Sequence, residues 1–364
     1  MKTILIKFSD SFFVRNFLRT DIFHIISATK DVRMVFLAPK EKLEYYRKEF
    51  PGERVLFDIY KETRFFLIER LFRFIETASI HSHTITIMQK TDFVRTKGQK
   101  WLLIRLWWYG IRRLLWQFGR FRWWREVIRL SYWLLPSRSF ARALEKWKPD
   151  LIYCPSMVYT DFRLLKEAKK RGLKTLGMIL SWDNLHSKTL LRVFPDDLIV
   201  HTDDTREQVV RYTNYPIARM HISGLPHYDR YFRRTDVISR DVFMKSIGAD
   251  PAKKLIVYAV SGKAGLHIDM GIIKMIREAI EKKDIIEDAE ILFRAYQRYD
   301  FSMEKVRSLT RELGCVARPV MRHVGEGRDS WEFDEDAIAF LVNTLAHADA
   351  VVALYTTFFI EAAI

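Results

Sequence analysis

The chain has 364 residues, of which 49% are hydrophobic, so it can bury sizeable cores and a globally disordered protein is excluded. The formal net charge of +16 favours anionic partners such as phosphate groups, acidic lipids or nucleic acid. Only two cysteines occur, Cys154 and Cys315, and their separation matches no metal-binding spacing and argues against a disulfide scaffold.

The N-terminal segment MKTILIKFSDSFFVRN does not have the pattern of a secretory signal. Lys7 and Asp10 interrupt a short apolar run, and no small-residue cleavage site follows. No stretch offers about 18 uncharged apolar residues, so no conventional transmembrane helix is predicted. These features predict a cytoplasmic protein.

Strand and helix signals alternate along the first part of the chain. β-rich runs, separated mostly by segments with helical spacing of apolar residues, lie at residues 2–8, 31–39, 54–60, 149–157, 173–184, 195–202 and 218–226. Alternation of this kind predicts right-handed crossovers and a parallel sheet, as in a Rossmann-like domain.

A polar, irregular region follows, and a second alternating series begins with KLIVYAVSGK. The predicted fold class is therefore α/β, with two Rossmann-like domains facing across a cleft. We place the N-terminal domain at residues 1–235 and the C-terminal domain at residues 236–364. The last residues, TTFFIEAAI, resemble the first turns of a helix, so the C-terminal domain is expected to be incomplete.

An arginine- and tryptophan-rich segment at about residues 98–136 interrupts the first series. Helical periodicity divides it into two amphipathic basic helices joined at Gly119. Tryptophan and arginine together suit the headgroup level of a membrane. The residues predicted to contact a membrane are Arg105, Trp107, Trp108, Arg112, Arg113, Trp116, Trp123 and Trp124. The alternative is that the apolar faces pack on the N-terminal sheet.

The first strand-to-helix turn, KFSDSFFVRN, lacks the glycines of a dinucleotide-binding motif, which disfavours a dinucleotide-dependent oxidoreductase. It still places Ser9, Asp10, Arg15 and Asn16 after a strand, where ligands of open α/β sheets bind. Asp10 is a candidate general base, and a helix cap is the alternative.

Two later loops also carry ligand-compatible side chains. SWDNLHSK places Trp182, Asp183 and Asn184 after a strand, as a stacking surface with hydrogen-bonding groups, or as an Asx-turn with a half-buried tryptophan. SGLPHYDRYF contributes His227, in either a ligand-binding or a hinge role.

Three strand ends in the second half carry phosphate- or nucleotide-compatible groups, each with capping as an alternative. After the first strand, VSGKAG supplies Ser261, Gly262 and Lys263. RAYQR begins with Arg294. LYTTFFIE supplies Thr356, Thr357 and Glu361, whose carboxylate is positioned to accept both hydroxyls of a ribose.

The chain resembles bacterial surface-polysaccharide glycosyltransferases of the GT-B kind in the order of six segments: KTILIKFSDSFFVRNFLRTDIF, KPDLIY, SWDNLHSK, PDDLIVHTDDTREQVVRY, ISGLPHYDRYF and YTTFFIEAA. They are also similar to those of UDP-N-acetylglucosamine 2-epimerases and CDP-glycerol glycerophosphotransferases. The resemblance covers most of the chain, and SWDN with SGLPHYDRYF is its most specific part. The sequence departs from the family at RAYQR, where a proline- and histidine-bearing motif is common.

The resemblance implies a nucleotide-sugar donor in the C-terminal half and an acceptor on the N-terminal side. The donor contacts that it implies are Ser261, Arg294, Thr356, Thr357 and Glu361. Asp10 and Asp183 become the candidate bases for an inverting displacement. The resemblance implies neither a bound metal ion nor a permanently bound cofactor, because helix N-termini and basic side chains neutralise the leaving diphosphate.

The expected activity is glycosyl transfer to a membrane-linked or surface-glycan acceptor, at the inner face of the cell membrane. A CDP-alditol phosphotransferase and a UDP-sugar 2-epimerase are alternatives among the enzymes. A non-catalytic basic protein that binds an anionic membrane surface is the alternative outside them. Nucleic acid is not an expected partner, because no nucleic-acid motif occurs and the basic residues concentrate beside tryptophans.

Overall fold

A computed structural model describes residues 1–8, 11–60, 67–95, 102–158, 160–260, 266–284, 288–294, 308, 310–316, 322–324, 331–354 and 356–364. The chain forms two compact units. The first unit comprises Met1–Ser9 and His24–Gly224, and the second comprises Asp10–Phe23 and Leu225–Ile364. This division differs from the predicted one, because the second unit begins before residue 235 and includes a segment from near the N-terminus.

The first unit is built on a seven-stranded sheet in which every described pairing is parallel. Its strands are β1 (Lys2–Lys7), β2 (Val32–Pro39), β3 (Val55–Tyr60), β4 (Leu151–Cys154), β5 (Lys174–Met178), β6 (Asp197–Val200) and β7 (Met220–Ile222). The strand order is β3-β2-β1-β4-β5-β6-β7, so the direction of winding reverses between β1 and β4. Ligands of open α/β sheets bind beyond the carboxyl ends of the strands at such a reversal.

Within the described ranges, numbered in chain order, the structure has these helices: α1 (Ser11–Phe13), α2 (Asp21–Ala28), α3 (Leu43–Glu49), α4 (Leu67–Ala78), α5 (His83–Arg95), α6 (Leu102–Phe118), α7 (Arg122–Leu134), α8 (Ala141–Trp147), α9 (Asp161–Lys170), α10 (Asn184–Ser187), α11 (Asp203–Thr213), α12 (Asp229–Arg233), α13 (Arg240–Ser246), α14 (Leu266–Glu281), α15 (Glu335–His347) and α16 (Phe358–Ala362). A π-helical turn spans Val14–Leu18, and 3₁₀ turns span Lys40–Lys42, Ile217–Arg219 and Pro226–Tyr228. No helix in the described part of the chain combines the length and the apolar character needed to cross a membrane.

Residues in the middle of the first sheet are fully buried because helices cover both faces. Leu5 of β1 lies between Val35 of β2 and Ile152 of β4, and none of the three is exposed. Local signals also set helix ends. At the start of α11, Thr202 Oγ1 accepts a hydrogen bond from the Thr205 backbone N–H at 3.2 Å, as an N-cap does.

The second unit contains three parallel strands, β8 (Lys254–Ala259), β9 (Ala289–Arg294) and β12 (Ala350–Ala353), in the order β12-β8-β9. A short antiparallel pair joins β10 (Arg322–His323) to β11 (Trp331–Glu332). The central strand β8 is apolar on both faces. Leu255 and Val257 pack in one core with Phe358, whereas Ile256 and Tyr258 pack in another. This continuous apolar run is typical of a parallel strand covered on both sides.

The segment Asp10–Phe23 belongs to the second unit because its side chains bond there. Arg19 Nη1 lies 3.2 Å from Glu335 Oε1, and Asp21 forms an ion pair with Arg233. These partners are more than two hundred residues away in sequence, so strand and helix periodicity could not reveal them.

Candidate functional site

Three of the predicted donor residues lie at or just after the carboxyl ends of strands in the second unit, and a fourth, Glu361, lies in the helix α16. Arg294 is the last residue of β9, and Thr356 and Thr357 lie between β12 and α16. Parallel strands present these ends at one edge of the sheet. Ser261, Gly262 and Lys263, predicted to follow β8, lie outside the described residues, as do Ser9 and Asp10.

A buried ion pair forms the centre of this site. Arg15, in the π-helical turn, donates through Nη1 to Glu361 Oε1 at 2.8 Å. Tyr231 donates its hydroxyl to the other carboxylate oxygen at 3.0 Å. Arg15 is 7% exposed and Glu361 4% exposed, so both charges are held largely away from water. π-Helical turns in proteins are frequently found at functional sites.

The electrostatics of the cluster keep its donors protonated. Burial acts to lower the pKa of Arg15, but the negative charge of Glu361 outweighs it and the pKa is raised. Burial, followed by the charge of Glu361, raises the pKa of Tyr231 well above its ordinary value and that of Tyr228 to about 12. At neutral pH the cluster therefore contains one charged guanidinium and two neutral phenols.

His227 and Asn16, both predicted to bind the acceptor, lie beside Arg15 instead of forming a separate site. Arg15 Nε lies 3.1 Å from Asn16 Oδ1, and its Nη2 lies 3.4 Å from His227 Nε2. Because a guanidinium only donates hydrogen bonds, the imidazole accepts through Nε2 and holds its proton on Nδ1. The structure thus joins three predicted acceptor residues to Glu361, a predicted donor residue.

Aromatic rings surround the cationic groups. The guanidinium of Arg15 lies 5.2 Å from the ring centre of Phe333, and that of Arg294 lies 4.4 Å from the ring centre of Phe358. Thr356 Oγ1 accepts a hydrogen bond from the backbone N–H of Phe358, the first residue of α16, at 3.2 Å, whereas the side chain of the N-cap residue Thr357 makes no capping bond.

The SWDN segment lies in the first unit, where its three predicted residues have different environments. Trp182 is exposed. Asp183 accepts from Lys188 Nζ at 2.9 Å. Asn184 is fully buried and donates through Nδ2 to the backbone carbonyl of Ser156 at 2.9 Å, so part of its amide serves to hold two loops together.

The loop after β4 is held by a buried ionic network that the sequence did not reveal. Lys7 at the end of β1 lies 2.8 Å from Asp161 Oδ1, with 2% and 0% of the two side chains exposed. The other oxygen of Asp161 accepts from the hydroxyl of Ser156 and from the backbone N–H of Met157. The sequence signal was Lys7, a lysine directly after the apolar run Ile4–Ile6 of β1. This network positions the loop to which Asn184 is bonded.

Tyr231 and Tyr228 also escaped sequence reasoning, although SGLPHYDRYF contains both. Their partner Glu361 is 130 residues away from Tyr231, and only the fold brings them together. In the part of the chain that the structure describes, no group of three or more His, Cys, Asp or Glu side chains is arranged to hold a metal ion.

The arginines of α6 that are predicted to meet a membrane also bond to the protein. Arg105 donates to the carbonyl of Phe93, and Arg112 Nη1 lies 3.0 Å from Asp92 Oδ2. Arg113 donates to the hydroxyl of Thr86 at 3.3 Å. All three acceptors lie on α5, so these arginines attach α6 to α5.

The predicted tryptophans divide into two groups. Trp107, Trp108 and Trp123 are exposed. Trp116 donates its indole N–H to the carbonyl of Ser82 at 3.1 Å, and Trp124 donates to Ser79 Oγ at 2.9 Å. The first group is the more exposed of the two, because Trp116 and Trp124 are half-buried.

No family model matches the chain, and no curated protein matches it significantly. Several solved structures are similar to the chain in fold. A putative UDP-N-acetylglucosamine 2-epimerase from Listeria monocytogenes is 13% identical with a TM-score of 0.51, covering 97% of this chain and 74% of its own. The UDP-GlcNAc 2-epimerase from Methanocaldococcus jannaschii is 11% identical with a TM-score of 0.52, covering 100% and 81%.

The UDP-GlcNAc 2-epimerase from Neisseria meningitidis, solved with UDP-GlcNAc bound, is 10% identical with a TM-score of 0.52, covering 97% of this chain and 77% of its own. Identities this low show the fold alone. The α/β class predicted from the sequence is confirmed, and the chain has the GT-B fold of these enzymes.

Proposed function

We propose that the protein transfers a sugar from a nucleotide-sugar donor to a glycan or lipid-linked acceptor, without a bound metal ion. The observation that carries this proposal is the buried cluster of Arg15, Tyr231 and Glu361 next to Arg294, at the carboxyl edge of a parallel sheet. The structural neighbours are nucleotide-sugar enzymes, and one of them was solved with UDP-GlcNAc bound, which supports the same ligand class here.

The cluster has the groups that a nucleoside diphosphate requires. A carboxylate offers about four lone-pair positions. Arg15 and Tyr231 occupy one on each oxygen of Glu361, which leaves others for the two ribose hydroxyls. Arg294 and Arg15 supply positive charge for the leaving diphosphate. In this proposal the further donor contacts are Ser261, Gly262, Lys263, Thr356 and Thr357.

The reaction would be a displacement at the anomeric carbon. A base takes the proton of the acceptor hydroxyl as its oxygen attacks, and the nucleoside diphosphate leaves with the electrons of the glycosidic bond. Asp10 and Asp183 are the proposed bases. The exposed ring of Trp182 is a surface on which an acceptor sugar can stack.

A UDP-sugar 2-epimerase is the second candidate, because the structural neighbours that share the fold are described as 2-epimerases. The same donor site would serve either activity. The difference is the acceptor, since an epimerase acts on the nucleotide sugar alone.

We also propose that the acceptor is linked to a membrane and that the protein acts at the inner face of the cell membrane. The exposed tryptophans Trp107, Trp108 and Trp123 support this location, because such side chains favour the boundary between lipid and water.

Two experiments test these proposals. Thermal denaturation with UDP, CDP and GDP measures nucleotide binding, since a ligand of the native state raises its melting temperature. We expect one nucleotide to stabilise the wild type and Glu290→Gln, but not Glu361→Gln. Glu290 is a suitable control because its carboxylate pairs with Lys253 at 3.2 Å on the same sheet, at the opposite end of β9 from Arg294.

Incubation with UDP-GlcNAc and no acceptor, followed by NMR, separates the two activities. Inversion at C2 of the sugar identifies an epimerase. A transferase leaves C2 unchanged, and it releases the nucleoside diphosphate from C1 when an acceptor is added. If none of the three nucleotides raises the melting temperature, both proposed activities are overturned.

A further inference from the structure

The apolar stripe of α7 faces away from the protein. Trp123, Val127, Leu130 and Leu134 follow one another at spacings of four, three and four residues, which places them on one side of the helix. Each side chain is between 45% and 85% exposed. Scattered exposed apolar residues are ordinary, but a continuous stripe marks a surface that binds a partner.

The helix α6 carries a second exposed apolar stripe. Leu103, Trp107 and Leu114 share one side of that helix and are 80%, 61% and 58% exposed. The two helices meet at a turn where the ring centre of Phe118 lies 6.1 Å from that of Trp123. The apolar surface is defined as Leu103, Trp107, Leu114, Trp123, Val127, Leu130 and Leu134.

The opposite face of α7 is arginine-rich and buried. Arg125 is 9% exposed and bonds to the carbonyl of Gly119 at 2.9 Å and to Asn214 Oδ1 at 2.6 Å. Arg129 is 5% exposed and bonds to the carbonyl of Leu190 at 3.1 Å. Because a guanidinium without partners is costly to bury, these bonds fix the arginine face inward and the apolar stripe outward.

A buried lysine holds the end of the same helix. Lys166 of α9 donates through Nζ to the carbonyl of Tyr132, in the last turn of α7, and to that of Leu135, the residue directly after the helix. Carbonyls at a helix C-terminus have no partner within the helix, and a cation placed there also favours the helix dipole. The orientation of α7 is therefore fixed at several points by the core of its own unit.

The charge around the apolar surface suits a lipid headgroup layer. Residues 102–134 contain seven arginines and one acidic residue, Glu126, which is bonded to Arg129 at 2.7 Å. Arg120 and Arg122, at the turn between the helices, are exposed. A water-exposed apolar strip with tryptophan and a cationic edge matches the boundary between acyl chains and phosphates.

We infer that the apolar surface inserts into the headgroup layer of a lipid bilayer, and that this insertion, more than attraction between arginine and lipid phosphate, provides the affinity. Five of the seven arginines direct their guanidinium donors to acceptors of the protein, so those donors are not directed to lipid phosphates. The inference adds a mode of binding to the proposed membrane location. Only its biological role rests on that proposal, because binding to vesicles requires neither the sugar donor nor the acceptor.

The test is cosedimentation of the full-length protein with vesicles of phosphatidylcholine alone and of phosphatidylcholine with phosphatidylglycerol. We expect both to bind, with less than about a threefold loss between 0.1 and 1 M NaCl, because apolar insertion is not screened. Trp123→Ser/Leu130→Ser/Leu134→Ser should lose at least about a hundredfold in partitioning. These side chains are exposed, so the variant should keep the wild-type melting temperature.

A matched control replaces three exposed apolar residues elsewhere, Ile217, Val242 and Met275, which are 59%, 55% and 69% exposed. This variant should bind vesicles as the wild type does. The inference is overturned if neither vesicle binds, if both triple variants lose binding equally, or if high salt releases the wild type. It is also overturned if the α7 variant changes only the oligomeric state, since the surface would then join two copies.

Nucleotide stabilisation is measured on the same samples. If the α7 variant loses vesicle binding and retains nucleotide binding, the inference is supported independently of the proposed catalysis. If the wild type binds vesicles but no nucleotide, the proposed function fails and the inference stands.

Discussion

Removal of the negative charge of Glu361 should weaken the second unit selectively. Glu361→Gln keeps the shape of the side chain but leaves the guanidinium of Arg15, 7% exposed, without its counter-charge at 2.8 Å. Removing one partner of a buried ion pair costs about 3–5 kcal/mol. An amide still accepts one hydrogen bond, so we take the lower end, about 3 kcal/mol. Arg15→Met should cost a similar amount, because it leaves the buried carboxylate of Glu361 without its positively charged partner.

Hydrogen exchange measured by mass spectrometry resolves the two units. A loss of about 3 kcal/mol corresponds to roughly a hundredfold faster exchange for amides that exchange by opening of the second unit. Peptides from β8 and β12 should show this change, whereas peptides from β1 and β4, in the first unit, should keep their wild-type rates. The first unit therefore provides an internal control.

The double variant Arg15→Met/Glu361→Gln tests the coupling. Removing both charges should cost clearly less than the sum of the single changes, with a coupling energy of about 2 kcal/mol. The reasoning is refuted if the two effects add to within about 0.5 kcal/mol, or if β8 and β12 exchange within threefold of the wild type in Glu361→Gln.

Two further predictions concern the α6–α7 region. A Cβ on Gly119 would lie 1.7 Å from the carbonyl oxygen of Ser79, so Gly119→Ala should lower the free energy of unfolding, measured in urea, by about 3 kcal/mol or more. The control Gly110→Ala, whose Cβ would meet nothing within 4 Å, should be neutral or stabilising. Equal effects of the two substitutions would contradict this packing. Burial lowers the pKa of Lys166 to about 8, so between pH 8 and 10 the unfolded chain binds more protons, and stability should rise with pH by up to about 1.4 kcal/mol per unit relative to Lys166→Met. A parallel pH dependence for the two proteins would show that Lys166 is not desolvated.

The alternation of elements was readable from the sequence because strand and helix periodicities are local. The run RVLFDIY became β3 (Val55–Tyr60), and the apolar run in the second half became β8 (Lys254–Ala259). The division of the chain into its two units could not be predicted from the sequence. The segment Asp10–Phe23 joins the second unit through ion pairs to residues more than two hundred positions away, and no local pattern encodes such a partner.

The candidate site shows the same limit. Arg15, His227 and Glu361 were each recognisable as polar residues near predicted strand ends, and the sequence assigned them to two separate ligands. The fold brings them into one buried cluster and adds Tyr231, whose hydroxyl had no recognisable partner in its own neighbourhood.

The helix α7 separates most clearly what the sequence and the tertiary structure each determine. Helical periodicity alone established two opposite faces, one with Trp123, Val127 and Leu134 and the other with Arg125 and Arg129. A periodic pattern defines faces relative to each other, without saying which of them meets the protein. Hydrogen-bond acceptors that reach the arginines come from distant loops, and they turn the charged face inward. The apolar face is therefore exposed. The acceptors that bind the arginines of the charged face are brought next to them only when the chain folds.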